Sequence, residues 1–194
     1  MPNGLQQTIA PTSEPLTLTE VKNHLRVDDT DSDDELTLLL AAARSHVETR
    51  ANRQLMQATF ALTLDKWPSG NAIALRMSPL SSVTGVTYYD ENGSSQTFSS
   101  GKYHVDTASE PGRIVLDDGE AWPNLDVRPA AATVTYVSGE ASSDDVPDAA
   151  KLATLQLVAH WFENREAVAF GGNPTDLPYA IEALINQCKV PEIA

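Results

Sequence analysis

A run of aspartates in the N-terminal quarter of the chain has the spacing of a metal-binding loop. Asp29, Asp31 and Asp33 fall at positions one, three and five of an EF-hand calcium loop. The sixth position, where glycine makes the sharp turn, is Asp34, and the twelfth, where a glutamate binds calcium through both oxygens, is Leu40. The sequence therefore favours a helix N-terminus over a calcium site at this run, because carboxylates are stabilised there.

A second candidate for metal chemistry is the pair His160 and Glu163, which lie three residues apart in a predicted helix. A metal site needs further ligands, and the sequence offers no second His–Glu pair at helical spacing. Cys188 is the one cysteine, so an intrachain disulfide and a multi-cysteine metal site are excluded. Leu184 and Ile185 precede it at helical spacing, which indicates a buried packing thiol rather than a reactive one.

No pattern typical of covalent or phosphate chemistry is present in the sequence. It lacks a G-x-S-x-G nucleophile motif, and Gly171-Gly172 has neither the lysine nor the preceding strand of a phosphate-binding loop. Trp67, Trp122 and Trp161 fall in different predicted elements, so we expect core or interface aromatics rather than a base-stacking platform. We predict a protein without enzyme activity, cofactor or bound metal.

The excess of acidic over basic residues limits the kinds of partner that the protein is expected to bind. With 27 acidic and 13 basic residues, the formal net charge is −14, which argues against a broad basic face for nucleic acid. No apolar run approaches the ~20 residues of a membrane span. The start of the chain also lacks the basic and apolar regions of a signal peptide. We expect a protein made in the cytoplasm, with no membrane partner.

The elements that would position these residues begin with a polar, proline-bearing segment. Its composition predicts a flexible N-terminal arm over residues 1–15. Thr17 and Glu20 then form a capping box, in which each residue satisfies an amide of the other at the start of a helix. The apolar spacing that follows predicts this first helix over 18–26.

Three further helices are predicted from apolar periodicity. Ser32 and Glu35 form a second capping box before a helix over 33–51, and two more helices span about 147–165 and 178–189, separated by the helix-breaking segment 171–174. The helix over 33–51 has the strongest apolar stripe in the chain, made by Leu36, Leu40, Ala43 and Val47.

Between these helical regions the apolar period becomes alternating, which is typical of strands. Six or seven short strands are separated by turns, including an Asn92-Gly93 hairpin signal. We predict an α+β fold, with a bundle of about four helices from both chain ends and an inserted antiparallel β domain, as a small barrel or sandwich. The expected regions are an arm (1–15), a helical body (16–57 with 146–190), a β domain (58–140) and a tail (191–194).

The segment LTLTEVKNHLRVDDTDSDDELTLLLAAARSHVETRANRQL, residues 16–55, resembles the N-terminal signature of the bacteriophage head–tail connector family. These are adaptor, or head-completion, proteins of long-tailed phages and gene transfer agents. The features that carry the likeness are an L-R-V-D turn at 25–28, an acidic cap at 31–35 and a basic segment from Arg44 to Arg53. Later motifs follow the order of larger members: Ser78-Pro79-Leu80, Tyr88-Tyr89-Asp90, Asn92-Gly93, Gly112-Arg113-Ile114, Trp122-Pro123, Val146-Pro147-Asp148 and the stretch 161–165.

The resemblance implies a structural adaptor at the head–tail interface of the virion. Such a protein is expected to form a homo-oligomeric ring of twelve copies beneath the portal protein, and to attach stopper or tail-completion proteins. DNA passes through the channel without specific binding, in keeping with the acidic composition. The family docks on the portal through its C-terminal segment, which selects these residues here: Ile181, Leu184, Ile185, Lys189 and Ile193.

Two other classes of function stay open from the sequence. A tail-terminator or stopper protein would lie lower in the same channel, although such proteins tend to be dominated by a β barrel. A carbohydrate-binding module or a hydrolase would instead use the β domain as its site. A stoichiometric metal at His160 would favour that enzyme class.

Overall fold

The computed structural model describes residues 2–164 and 179–191. The chain divides into two compact units. The β unit comprises Met1–Thr12, Gln57–Glu140 and Pro191–Ala194, and the helical unit comprises Ser13–Met56 and Ala141–Val190. Each unit is therefore assembled from segments that are distant in sequence.

The helical unit is built from four described helices that share one hydrophobic core. They are α1 (Leu18–Leu25), α2 (Asp33–Ala51), α3 (Asp148–Glu163) and α4 (Tyr179–Gln187). The apolar stripe predicted on α2 is buried against the other helices, because Leu36, Leu40, Ala43 and Val47 are all part of this core. The predicted break at 171–174 lies outside the described residues. No helix of the described chain is long and apolar enough to cross a membrane.

The first predicted capping box is confirmed and the second is wrong. The Thr17 hydroxyl accepts a hydrogen bond from the Glu20 amide at 3.2 Å, and the Glu20 carboxylate accepts one from the Thr17 amide at 2.7 Å. Ser32 makes no capping bond through its side chain, because its backbone (φ −102°, ψ 6°) is not in the extended conformation that such a cap uses. Lys22 instead pairs with Asp33 in the first turn of α2 at 2.6 Å.

Eight described strands form two antiparallel sheets in the β unit. The strands are β1 (Pro2–Ile9), β2 (Ala58–Leu64), β3 (Ala72–Ala74), β4 (Leu80–Tyr89), β5 (Ser95–Phe98), β6 (Tyr103–Asp106), β7 (Arg113–Leu116) and β8 (Ala132–Ser138). The five-stranded sheet has the order β1-β2-β8-β4-β5, and the three-stranded sheet has the order β3-β7-β6. The antiparallel β prediction is thus confirmed.

One core joins the two sheets into a sandwich-like arrangement, and the described strands do not close into a barrel. Alternate residues of β2 and β8 are buried, as the alternating sequence requires. Phe60 of β2 stacks on Tyr136 of β8, with ring centroids 5.8 Å apart. From the smaller sheet, Ile114 and Tyr103 enter the same core.

The expectation of a flexible N-terminal arm is corrected by β1. Residues Gly4–Ile9 pair antiparallel with the residues of β2 from Thr63 back to Thr59. Leu5 packs against the β core, while the neighbouring glutamines are exposed, so the segment shows little apolar pattern. Backbone hydrogen bonds to β2 order this segment, and polar composition alone does not reveal them.

Gly112, which precedes β7, approaches Leu80 too closely for any side chain. A Cβ atom added there would overlap the Leu80 Cβ and lie 2.8 Å from its Cδ2. Leu80 is buried in the β core and has no free space to move into. We expect Gly112→Ala to lower the free energy of unfolding by about 2 kcal/mol, measured by urea denaturation with tryptophan fluorescence.

Gly85→Ala is the matched control, because it adds the same methyl group to the β unit where no atom lies within 4 Å. This variant should be as stable as the parent or slightly more stable, since alanine has less conformational entropy to lose than glycine. Equal effects of the two substitutions would contradict the overlap at Leu80.

Candidate interaction surfaces and the network behind them

The C-terminal segment predicted to dock on a partner also packs the helical unit. Ile181 and Ile185 are only 2% and 1% exposed and lie in the helical core. Leu184 packs against the same core, and Lys189 is exposed. Ile193 lies outside the described residues. Docking through this segment stays a prediction, but three of its five side chains already pack against the helical core.

Two hydrogen bonds connect the backbone of the residues after α4 to the end of α2. The Arg53 Nε donates to the Cys188 carbonyl at 3.0 Å, and the Val190 amide donates to the Ala51 carbonyl at 2.8 Å. Cys188 is buried, and burial raises the pKa of its thiol. It is therefore the packing thiol that the sequence indicates, and these contacts hold the segment up to Val190 on the helical unit.

A buried ionic network lies beneath this junction, and the sequence reading did not identify it. Glu48 of α2 is 5% exposed, and its Oε1 accepts from the Leu55 amide at 3.1 Å and the Gln54 Nε2 at 2.7 Å. Its Oε2 accepts from the Arg44 Nη1 at 2.8 Å, and the Arg44 Nε donates to Glu14 at 2.7 Å. The sequence carries one sign of this network, because Arg44 and Glu48 are four residues apart and so lie on one face of a helix.

Burial raises the pKa of the Glu48 carboxyl, and the Arg44 guanidinium opposes part of that rise. The carboxylate is nevertheless the acceptor that the turn after α2 requires, because it binds the amide of Leu55 and the side chain of Gln54. The backbone carbonyl of Glu48 also accepts hydrogen bonds from the backbone amides of Asn52 and Arg53. Glu48 therefore holds the turn through which the chain leaves the helical unit.

Asp29 and His160, the residues considered as metal ligands, make hydrogen bonds within the chain. The Asp29 carboxylate accepts from the Asp31 amide at 3.1 Å, which shapes the acidic turn. The carbonyl of His160 accepts from the Asn164 side chain at 2.8 Å at the end of α3. Across residues 2–164 and 179–191, no group of three or more histidine, cysteine or acidic side chains could hold a metal ion.

One exposed face of α2 carries no charge between Asp34 and Arg50. Leu38 is 70% exposed at its centre, and Ala42 and Ser45 continue the exposed face towards the C-terminus. Exposed charged side chains are the usual covering of a helix that faces water. A face of this kind in a chain of net charge −14 is a candidate contact surface.

The β unit presents a second apolar feature at a loop apex. Val127 is fully exposed in the segment between β7 and β8. The adjacent Asp126 amide donates to the Tyr89 carbonyl at 3.0 Å, and the Arg128 guanidinium lies 3.9 Å above the Tyr89 ring. The backbone before Val127 and the side chain after it are thereby held on β4, so the apolar apex is presented by an anchored loop.

Removing the Glu48 carboxylate should destabilise the helical unit strongly. We expect Glu48→Ala to lower the free energy of unfolding by about 3 kcal/mol, because buried donors at Leu55, Gln54 and Arg44 lose their acceptor. Far-UV circular dichroism during urea unfolding measures the change. Glu182→Ala is the control, since it breaks the more exposed Arg50–Glu182 pair of 2.6 Å and should cost about 0.5 kcal/mol.

The difference in unfolding free energy between the parent protein and Glu48→Ala is expected to depend on pH. Because the pKa of Glu48 is raised in the folded protein, its contribution to stability is greatest below the ordinary carboxyl pKa. That contribution falls as the pH rises through the raised value. The stability difference between the parent and Glu48→Ala should therefore shrink from acidic to neutral pH, and a difference that grows would contradict the direction of the shift.

The comparisons with known proteins agree with this architecture. The chain matches the family model described as "Head completion protein" over residues 14–188. One similar solved chain, from "Neck of empty GTA particle computed with C6 symmetry", is 23% identical with a TM-score of 0.78, covering 98% of this chain and 97% of that chain. Another, from "Neck of native GTA particle computed with C12 symmetry", is 21% identical with a TM-score of 0.79 and the same coverage.

These structural likenesses concern the fold, which is shared over nearly the full length of each chain. No curated protein sequence matches the chain. The family match extends over parts of both units and includes the four described helices and every described strand except β1. The chain therefore belongs to the head completion protein family.

Proposed function

We propose that this protein is a structural, non-catalytic component of the head–tail interface in a phage or gene transfer particle. Copies of the chain form a ring below the portal, and that ring extends the channel through which DNA passes. The observation that carries the proposal is the match to the head completion family over residues 14–188. The likeness of fold to neck chains solved with six-fold and twelve-fold symmetry supports the ring.

The charge of the chain suits a channel component. A net charge of −14 leaves few cations to replace the counterions of DNA phosphates, so passing DNA is not retained. The acidic turn before α2 and the acidic segment before α3 contribute to this charge. On this proposal DNA passes through the channel without being bound, and the partners that the protein binds specifically are other proteins.

A ring of more than two copies requires two different complementary surfaces on one protomer, since an isologous contact closes as a two-fold dimer. The uncharged face of α2 around Leu38 and the anchored apex at Val127 are apolar features that a neighbouring subunit or tail component would cover. Apolar side chains at such positions are typical of the central part of an interface.

Portal docking is proposed for the segment from Lys189 onward rather than for the apolar face of α4. That face, with Ile181 and Ile185, is used inside the helical unit. Lys189 is exposed, and Ile193 belongs to the same terminal segment. A truncation that removes α4 would unpack the helical core, so docking has to be tested with a smaller change.

Imaging of assembled particles tests the ring and its position. Purified protein is mixed with DNA-filled capsids that carry a portal but lack neck proteins, and the vertices are reconstructed. We expect one added ring directly below the portal. No added density, or density that requires a pre-existing adaptor ring, would overturn the proposal, and the second result would favour a stopper or tail-terminator.

A separate prediction concerns the C-terminal segment. Lys189→Glu combined with deletion of residues 192–194 should leave the circular dichroism spectrum unchanged and reduce cosedimentation with portal-bearing capsids about ten-fold or more. Lys102→Glu in the β unit is the control for the change of charge, because Lys102 is an exposed residue paired with Glu120 at 2.8 Å. Normal cosedimentation by the first variant would rule out docking through this segment.

A further inference from the structure

The outer edge of β1 has no charged side chain to prevent pairing, and its other irregularities are Pro2 and two register shifts, at Pro2/Gly4 and Gln7/Ile9. β1 lies at the end of the five-stranded sheet, and β2 is its one strand neighbour among the described residues. Its eight residues, Pro2–Ile9, contain no charged side chain, and Gln6, Thr8 and Ile9 are exposed. Long edge strands usually carry lysines or other charges that prevent pairing with another chain, because their free amides and carbonyls are a template for a further strand.

The opposite edge of the same sheet has the same character. β5 pairs with β4, and Ser95, Gln96 and Thr97 are exposed and uncharged. The hairpin before β5 is well held, because the Asp90 carboxylate accepts from the amides of Asn92 and Ser94. Charged residues make up 21% of the chain, so about two or three would be expected among the residues of β1 and β5, and none is present.

We propose that these two edges pair with each other between copies, so that β1 of one protomer extends the sheet of the next at its β5 edge. The inference rests on the proposed ring. Two different edges at opposite ends of one sheet form a heterologous contact that repeats from copy to copy. Pairing of β1 with β1 would instead make a two-fold dimer and would stop there. Backbone amides and carbonyls supply the recognition, as in other cases of strand addition.

The short length of β5 sets the strength of this contact. Only four residues, Ser95–Phe98, are available to pair, and each hydrogen bond contributes about 1 kcal/mol net. One such contact is too weak to overcome the loss of translational and rotational freedom on association. The free protein is therefore monomeric, and the sheets join once copies are held side by side on a symmetric platform.

Within each copy, Gln6 lies opposite Ala61 and Thr97 lies opposite Thr87, on the face of the sheet that points away from the core. The proposed pairing sets Gln6 of one copy directly opposite Thr97 of the next, since both side chains are exposed on that face. Cysteines at these two positions would then be close enough to form a disulfide. The native Cys188 is buried and does not compete.

The test combines Gln6→Cys and Thr97→Cys in one chain, assembles it on portal-bearing capsids, and applies a mild oxidant. We expect a ladder of covalent multimers up to the full ring on a non-reducing gel. Each single variant should remain monomeric. A ring that forms in the images without multimers from the double variant would overturn the inference and leave the proposed function standing. Dimers from Gln6→Cys alone would also overturn it, because they indicate β1–β1 pairing.

A charge variant gives an independent readout. Gln6→Lys combined with Thr97→Lys should reduce ring occupancy about ten-fold or more, because like charges face each other at every junction. Gln6→Lys combined with Thr97→Glu should restore occupancy, with unchanged circular dichroism in both proteins. Equal occupancy of the two variants would count against the edge pairing. Loss of the ring in the unaltered protein would overturn the proposed function and this inference together.

Discussion

The burial of one carboxylate, that of Glu48, is the constraint on which the helical unit depends. A buried charge is tolerated only when its hydrogen bonds are satisfied, so Arg44, Gln54 and the Leu55 amide must all be in place. The turn after α2 cannot change without breaking this set. Arg44 also binds Glu14, which lies just after the chain enters the helical unit. One network thus fixes the chain where it enters the unit and where it leaves.

Strand pairing, as well as the pattern of apolar residues, determines which segments of the chain belong to each unit. β8 lies between β2 and β4, so the sheet has its centre late in the sequence and receives β1 at one edge. The N-terminal segment therefore belongs to the β unit, although Ser13–Met56 of the helical unit lies between it and β2 in sequence. The β unit is accordingly more than a simple insertion, and an alteration at the N-terminus changes one of its edges.

The surfaces left without charge connect structure to function. In a chain with a net charge of −14, exposed places without charge are where protein contacts are expected. The face of α2 around Leu38, the apex at Val127 and the two edges of the five-stranded sheet are such places. None of them is a catalytic arrangement. Their number and variety suit a subunit that contacts several neighbours.

The sequence by itself determined the elements whose residues carry a local signal. The stripe on α2, the capping box of Thr17 and Glu20, and the alternation of β2 and β8 are visible because each reports burial or hydrogen bonding within a few residues. Only the tertiary structure decided that residues 2–9 form an edge strand, that the buried Glu48 is linked through Arg44 to Glu14, and that Ile181 and Ile185 serve the core. Backbone pairing leaves no side-chain pattern in a polar strand, and a buried charge depends on groups that only folding brings together.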